Sequence, residues 1–74
     1  MKGKPLDLIR MGQNIRNLRQ KRHLSQQELA KRVGCSVQHI SRLENGTSGM
    51  SVEIFLNLCR ELACMPSDIL SRAE

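Results

Sequence analysis

The sequence has no tryptophan, no tyrosine and a single phenylalanine, Phe55, among its 74 residues. Platforms that hold single-stranded nucleic acid by stacking bases on rings therefore cannot be built from it, and RNA-binding sheets of the stacking kind are disfavoured with them. It also lacks any apolar run long enough to span a bilayer, and no signal-peptide pattern is read at its start, so no membrane association is expected. Its three cysteines, Cys35, Cys59 and Cys64, are an odd number and cannot all pair internally, which points to a reducing cytoplasm. None forms the close pair that zinc sites use. Even with His39 imagined as a third ligand to Cys59 and Cys64, the spacing is wrong, so no metal and no cofactor are expected and the thiols read as small buried hydrophobes.

Acidic residues are scarce as well: seven Asp and Glu stand against twelve Lys and Arg, a net charge of +5. The distribution is uneven. Residues 1–23 hold Lys2, Lys4, Arg10, Arg16, Arg19, Lys21 and Arg22 against Asp7 alone, whereas residues 46–74 hold Arg60 and Arg72 against Glu53, Glu61, Asp68 and Glu74. A basic surface attracts phosphate through counterion release, although a solvated basic face without a specific role is the alternative. A chain of this length supports one small domain and no enclosed substrate pocket. No nucleophile, base and orienting acid fall in a plausible cluster, so an enzyme is not expected.

What the sequence does contain is a helical period. Residues 1–6 are polar and basic and read as a flexible N-terminal arm, with a single domain over residues 7–72. A first helix is expected from about Asp7 to Arg22, with Leu8, Met11, Ile15 and Leu18 on its inward face. Ser25 and Glu28, three residues apart, form a capping box that opens a second helix with Leu29 and Val33 as its buried stripe. Ala30 between them is small enough to let another helix cross closely. Gly34 suits the left-handed residue that ends this helix, and Ser36 caps a third in which Ile40 and Leu43 point back to the second. Two short amphipathic helices joined by a tight turn make a helix-turn-helix.

The loop Asn45-Gly46-Thr47-Ser48-Gly49 carries turn chemistry. Ser51 caps a fourth helix with Val52, Phe55, Cys59 and Leu62 on the core side, ending near Ala63. Pro66 suits the first turn of a short fifth helix bearing Ile69 and Leu70. The expected architecture is all-α: a compact five-helix domain without strands.

Taking Ile40 as the inward direction and turning about 100° per residue, Leu43 and Glu44 fall on the core side of the third helix and Gln38 and Arg42 nearly opposite. Ser41 and His39 lie on the flanks, and Ser36 and Val37 lie at the helix start. Gln and Arg offer bidentate contacts to adenine and guanine, and Val an apolar contact to a thymine methyl. Taken by type alone, Gln38 and Arg42 would be ordinary solvated residues; their place in the helix-turn-helix makes Ser36, Val37, Gln38, Ser41 and Arg42 candidates for reading bases.

The words Ile15-Arg16-Asn17-Leu18-Arg19, Leu24-Ser25-Gln26, Glu28-Leu29-Ala30, Gly34, Ile40-Ser41-Arg42 and Glu44-Asn45-Gly46, in that order and spacing, resemble the Cro and phage-repressor (Xre-like) helix-turn-helix family. The resemblance runs from about Leu8 to Leu70. It implies a lambda-repressor-like fold and a sequence-specific transcriptional regulator of double-stranded DNA, a repressor in the first instance. It also implies that Gln26 grips phosphate at the start of the second helix, with Asn45, Thr47 and Ser48 as weaker phosphate candidates. Arg19 and Glu44 resemble a family ion pair that fixes the third helix to the first, with a phosphate role for Arg19 as the lesser reading. A monomer reads too few base pairs to find one site in a genome, so a homodimer on a two-fold operator is expected. Ile54, Met65, Ile69 and Leu70 are the candidate interface, with core filling as the competing role. The alternative function is a protein-interaction module, such as an antitoxin or adaptor, that binds a partner protein with or without DNA.

Overall fold

The computed structural model describes residues 7–71, so the expected arm at 1–6 and residue 72 lie outside the described residues. Five helices follow one another: α1 (Leu8–Lys21), α2 (Gln26–Val33), α3 (Val37–Asn45), α4 (Val52–Glu61) and α5 (Pro66–Leu70), and no strand occurs among the described residues. The expected all-α, five-helix order is the one the chain adopts.

Each start is fixed locally by a side chain accepting from an orphan backbone N–H. Asp7 Oδ1 accepts from Arg10 at 3.1 Å, Ser36 Oγ from His39 at 3.0 Å and Ser51 Oγ from Ile54 at 3.1 Å. At α5 the reverse arm is used: the Met65 N–H donates to Asp68 Oδ2 at 2.8 Å. The ends are less uniform. Gly34 and Gly46 close α2 and α3 in the left-handed region, but α1 and α4 are closed by residues with side chains, His23 at φ 58° and Ala63 at φ 52°. Both end in the same pattern, with the N–H of Leu24 returning to Arg19 O at 3.2 Å and that of Cys64 to Cys59 O at 2.9 Å.

Ile15, Leu29, Ile40, Leu43, Leu58, Leu62 and Ile69 are wholly enclosed and come from all five helices. Burying each stabilises the fold by roughly 1.5–3 kcal/mol. α1 crosses the carboxyl end of α3 at Gly12, where a Cβ would fall 2.6 Å from Glu44 O and closer still to Leu43 O. Ile9 lies on Gly46 in the same way, a Cβ there falling 2.6 Å from the Ile9 Cα. The contact of α1 with the α3–α4 loop thus runs through Ile9, and Leu8, expected inward, is exposed.

Two further placements differ from the sequence reading. Val52 is 74% exposed, because six residues before Leu58 it stands roughly 120° round the helix from that buried position. Ile69, expected at an interface, is 0% exposed. α5 folds back onto α1 and α4, and Asn14 Nδ2 holds it there by donating to Ile69 O at 2.8 Å and Ser71 O at 3.0 Å. Core filling is therefore the role of Ile69. No described helix is long and apolar enough to cross a membrane.

Candidate nucleic-acid interface

The α2–α3 unit is held rigid by its caps. Ser25 Oγ accepts from the Glu28 N–H at 3.0 Å while Glu28 Oε1 accepts from the Ser25 N–H at 2.8 Å. The first of these hydrogen bonds in order of effect, from the Ser25 backbone, holds the Glu28 carboxyl below the usual range. At the turn the Gly34 and Cys35 N–H groups both donate to Ala30 O, at 2.8 and 3.0 Å.

With Ile40 and Leu43 enclosed, α3 presents Val37, Gln38, Arg42 and Asn45 to solvent, while His39 and Ser41 are half-buried on its flanks. Four residues separate Gln38 from Arg42 and three more reach Asn45, so at about 100° per residue the three lie within roughly 60° of one another. They form one outward stripe. Ser36 stands at its amino-terminal end with its hydroxyl oxygen engaged as the α3 cap.

Glu44, on the inner side of the same helix, is buried and collects donors from two other helices. Arg19 Nε donates to Oε2 at 2.6 Å and Arg19 Nη2 to Oε1 at 3.1 Å. Gln26 Nε2 donates to Oε1 at 2.9 Å, and Arg16 Nε to the same oxygen at 3.4 Å. Burial pushes this carboxyl up, but the bonds from Arg19 and Gln26, the Arg19 charge and the Arg16 bond together outweigh it and hold the group below the usual glutamate range. Arg19 also donates to Leu24 O at 2.7 Å, tying the α1–α2 corner to the same guanidinium. With its side chain only 11% exposed, Arg19 is committed inward.

The four phosphate candidates differ in what they have to offer. Gln26 spends one amide N–H on Glu44. Asn45 accepts from Arg16 Nη2 at 3.2 Å through Oδ1, which leaves its amide N–H groups as donors. Thr47 Oγ1 and Ser48 Oγ each donate within the loop, to Arg42 O at 3.3 Å and Gly49 O at 2.9 Å. A phosphate accepts only, so those two hydroxyls must turn away from their present partners to meet one. Arg16 was not singled out by sequence reasoning, since one arginine among twelve basic residues carries no signal until α1 sets it beside the carboxyl end of α3.

Cys35, Cys59 and Cys64 are free thiols, all raised by burial, and Cys64 is pushed up to about 11 by burial first and by its neighbour Cys59 second. No group of three or more His, Cys, Asp or Glu side chains is placed to hold a metal ion among the described residues.

The helix-turn-helix family profile matches residues 15–69. The antitoxin PezA of Streptococcus pneumoniae is 40% identical over 60 residues, which are 81% of this chain and 38% of PezA, so the chain spans well under half of that relative. Among solved structures, the restriction-modification controller protein C.AhdI from Aeromonas hydrophila superposes with a TM-score of 0.81 at 32% identity, over 85% of this chain and 96% of the other. The P22 c2 repressor in complex with a synthetic operator gives 0.79 at 36% identity, over 82% and 92%. The chain belongs to the helix-turn-helix family of Cro and phage-repressor (Xre-like) type, with the repressor-like five-helix fold. That family is one of DNA-binding transcription regulators.

Proposed function

We propose that the chain is a sequence-specific repressor that binds double-stranded DNA as a homodimer on a two-fold operator in the cytoplasm. Gln38 and Arg42 on the outward stripe of α3, with buried Glu44 tied to Arg19 on the inner side of the same helix, carry this reading, because their side chains offer bidentate contacts to base edges. Val37, 37% exposed in the first turn, adds an apolar contact for a thymine methyl. Gln26, Asn45, Thr47 and Ser48 meet the flanking phosphates.

The dimer forms through the α4–α5 side. Met65 and Leu70 are 65% and 41% exposed there, Ile54 is partly buried, and Val52 and Leu56 add apolar surface at 74% and 55%. Val52 and Leu70 also line a groove of about 240 Å³ with Met11, Met50, Ser51 and Phe55. Apolar area of this kind at one end of a small domain favours a partner surface over solvent. Selection of bound sites from a random duplex pool, followed by sedimentation of the complex, tests the reading. The expected result is a two-fold site with half-sites about 10 base pairs apart, carrying two chains. Failure of any sequence to enrich overturns it.

A second reading rests on the likeness to PezA, an antitoxin. In it the α4–α5 apolar surface takes a toxin as well as, or in place of, a second copy, and the chain still binds DNA through α3. Copurification with a neighbouring gene product of fixed stoichiometry would favour it.

A further inference from the structure

We propose that Arg16 is a DNA phosphate clamp, preset by Glu44 and Asn45. The inference deepens the DNA-binding reading above and rests on it. Glu44 carries one negative charge, and Arg19 already neutralises it through two hydrogen bonds from an almost buried guanidinium. Arg16 is the second cation at the same carboxylate, at the longest of the distances, 3.4 Å, and its side chain is 43% exposed. The pair of arginines therefore leaves about one positive charge uncompensated at the surface.

The guanidinium bearing that charge is not a loose surface group. Its Nε donates to Glu44 and its Nη2 to Asn45 Oδ1 at 3.2 Å. These contacts use two of the five N–H donors an arginine carries and restrain the group, so the others belong to a side chain that is 43% exposed and has less rotamer entropy left to lose. Asn45 is the last member of the outward stripe on α3, and Gln26 is joined to the cluster through Glu44 Oε1. Arg16 thus sits where the two phosphate candidates Gln26 and Asn45 converge and supplies the charge they lack. A planar fork with outward N–H donors fits a phosphodiester oxygen pair, and contact with the backbone contributes affinity without sequence preference.

Neutralising one phosphate contributes about 0.9 to the slope of log affinity against log salt on duplex DNA. Binding of a fluorescein-labelled mixed-sequence duplex is measured across a salt series for the full chain, Arg16→Gln and Arg16→Lys. The expected result is a slope shallower by about one for Arg16→Gln, with a several-fold loss of affinity at low salt, and a slope kept by Arg16→Lys. A side chain that only braces α3 would lower the melting temperature and leave the slope alone, so an unchanged slope in Arg16→Gln overturns the proposal. In the unsubstituted protein, phenylglyoxal labelling of Arg16, read by mass spectrometry, should fall when duplex is added; undiminished labelling overturns it independently of how the variants fold. A wild-type slope near zero would instead remove the DNA-binding reading itself.

Discussion

Arg19 Nε donates to Glu44 Oε2 at 2.6 Å across the α1–α3 crossing, and the two side chains are 11% and 0% exposed. A charge pair this enclosed contributes little over an apolar pair of the same shape, but losing one partner strands the other. Arg19→Ala should therefore cost about 3 kcal/mol, the lower end for a broken buried pair, since Arg16 and Gln26 remain on the carboxylate. Urea unfolding with an unchanged slope measures it. A loss within the range of a surface bridge, below about 1 kcal/mol, would show that the pair is screened.

The same carboxyl sets the acid response. Its native pKa lies below the ordinary glutamate value of 4.5. The unfolded chain therefore binds the proton first as pH falls, and the contribution of Glu44 to stability is present above that value and lost as pH drops through the lowered native one. Glu44→Gln should lower stability at neutral pH and flatten the acid limb below about pH 4.5, leaving the share from Glu28, whose carboxyl is also lowered. An acid limb of unchanged steepness in the variant would place the titration elsewhere.

Gly12 sits in the middle of α1, where alanine would ordinarily gain about 1 kcal/mol of helix propensity. Here the added Cβ meets Leu43 O and lies 2.6 Å from Glu44 O, backbone atoms that cannot swing aside as a side chain would. Gly12→Ala should destabilise by about 1–3 kcal/mol and weaken DNA binding with it, because α3 must shift to make room. A stabilised variant in thermal unfolding would mean that the helices separate without cost.

Much of the α2–α3 half was legible because its signals are local. Ser25 with Glu28, Gly34 and Ser36 each satisfy or terminate a backbone within one turn, and the inward residues Ile40 and Leu43 then fix which way Gln38 and Arg42 face. The α4–α5 half was read less well for the opposite reason. Val52 and Ile69 have the same apolar chemistry, but Val52 is left exposed by its place round α4 from Leu58, and Ile69 is enclosed because α5 returns onto α1, through Asn14. Arg16 gains meaning only from a contact with Glu44 made 28 residues away in the chain.

His23 and Ala63 carried no sequence signal either, since each holds a left-handed helix end without glycine. That conformation costs an L-residue roughly 1–2 kcal/mol, against which glycine would lose part in unfolded-state entropy. Ala63→Gly, at the exposed corner between α4 and α5, should raise stability by about 0.5–1 kcal/mol and leave duplex affinity unchanged. A lower melting temperature would show that the Ala63 methyl packs usefully where it stands.

Cys64, with its thiol pushed up to about 11, should be nearly inert at neutral pH, because the thiolate is the reactive form. At about pH 8 only roughly one thiol in a thousand is ionised, so its reaction with an aromatic disulfide reagent should be far slower in the folded chain than in urea. Equal rates would mean that the α4–α5 corner opens readily.

Gln38 is exposed on α3 and takes part in no side-chain hydrogen bond or ion pair among the described residues, so replacing it separates recognition from stability. If it reads a base, Gln38→Ala removes a bidentate contact worth about 1–3 kcal/mol of discrimination while every phosphate contact remains. Operator affinity should fall by roughly tenfold to a hundredfold, with binding to mixed-sequence duplex, its salt slope and the melting temperature all unchanged. Gln26→Ala should behave differently: it takes away one of the hydrogen bonds to Glu44 and, if Gln26 grips phosphate, a donor to the DNA backbone, so both affinities should drop together with a modest loss of stability. A competition titration of each variant against random duplex separates the two patterns. Equal losses on operator and random DNA for Gln38→Ala would place the base-reading surface somewhere other than the outward stripe of α3.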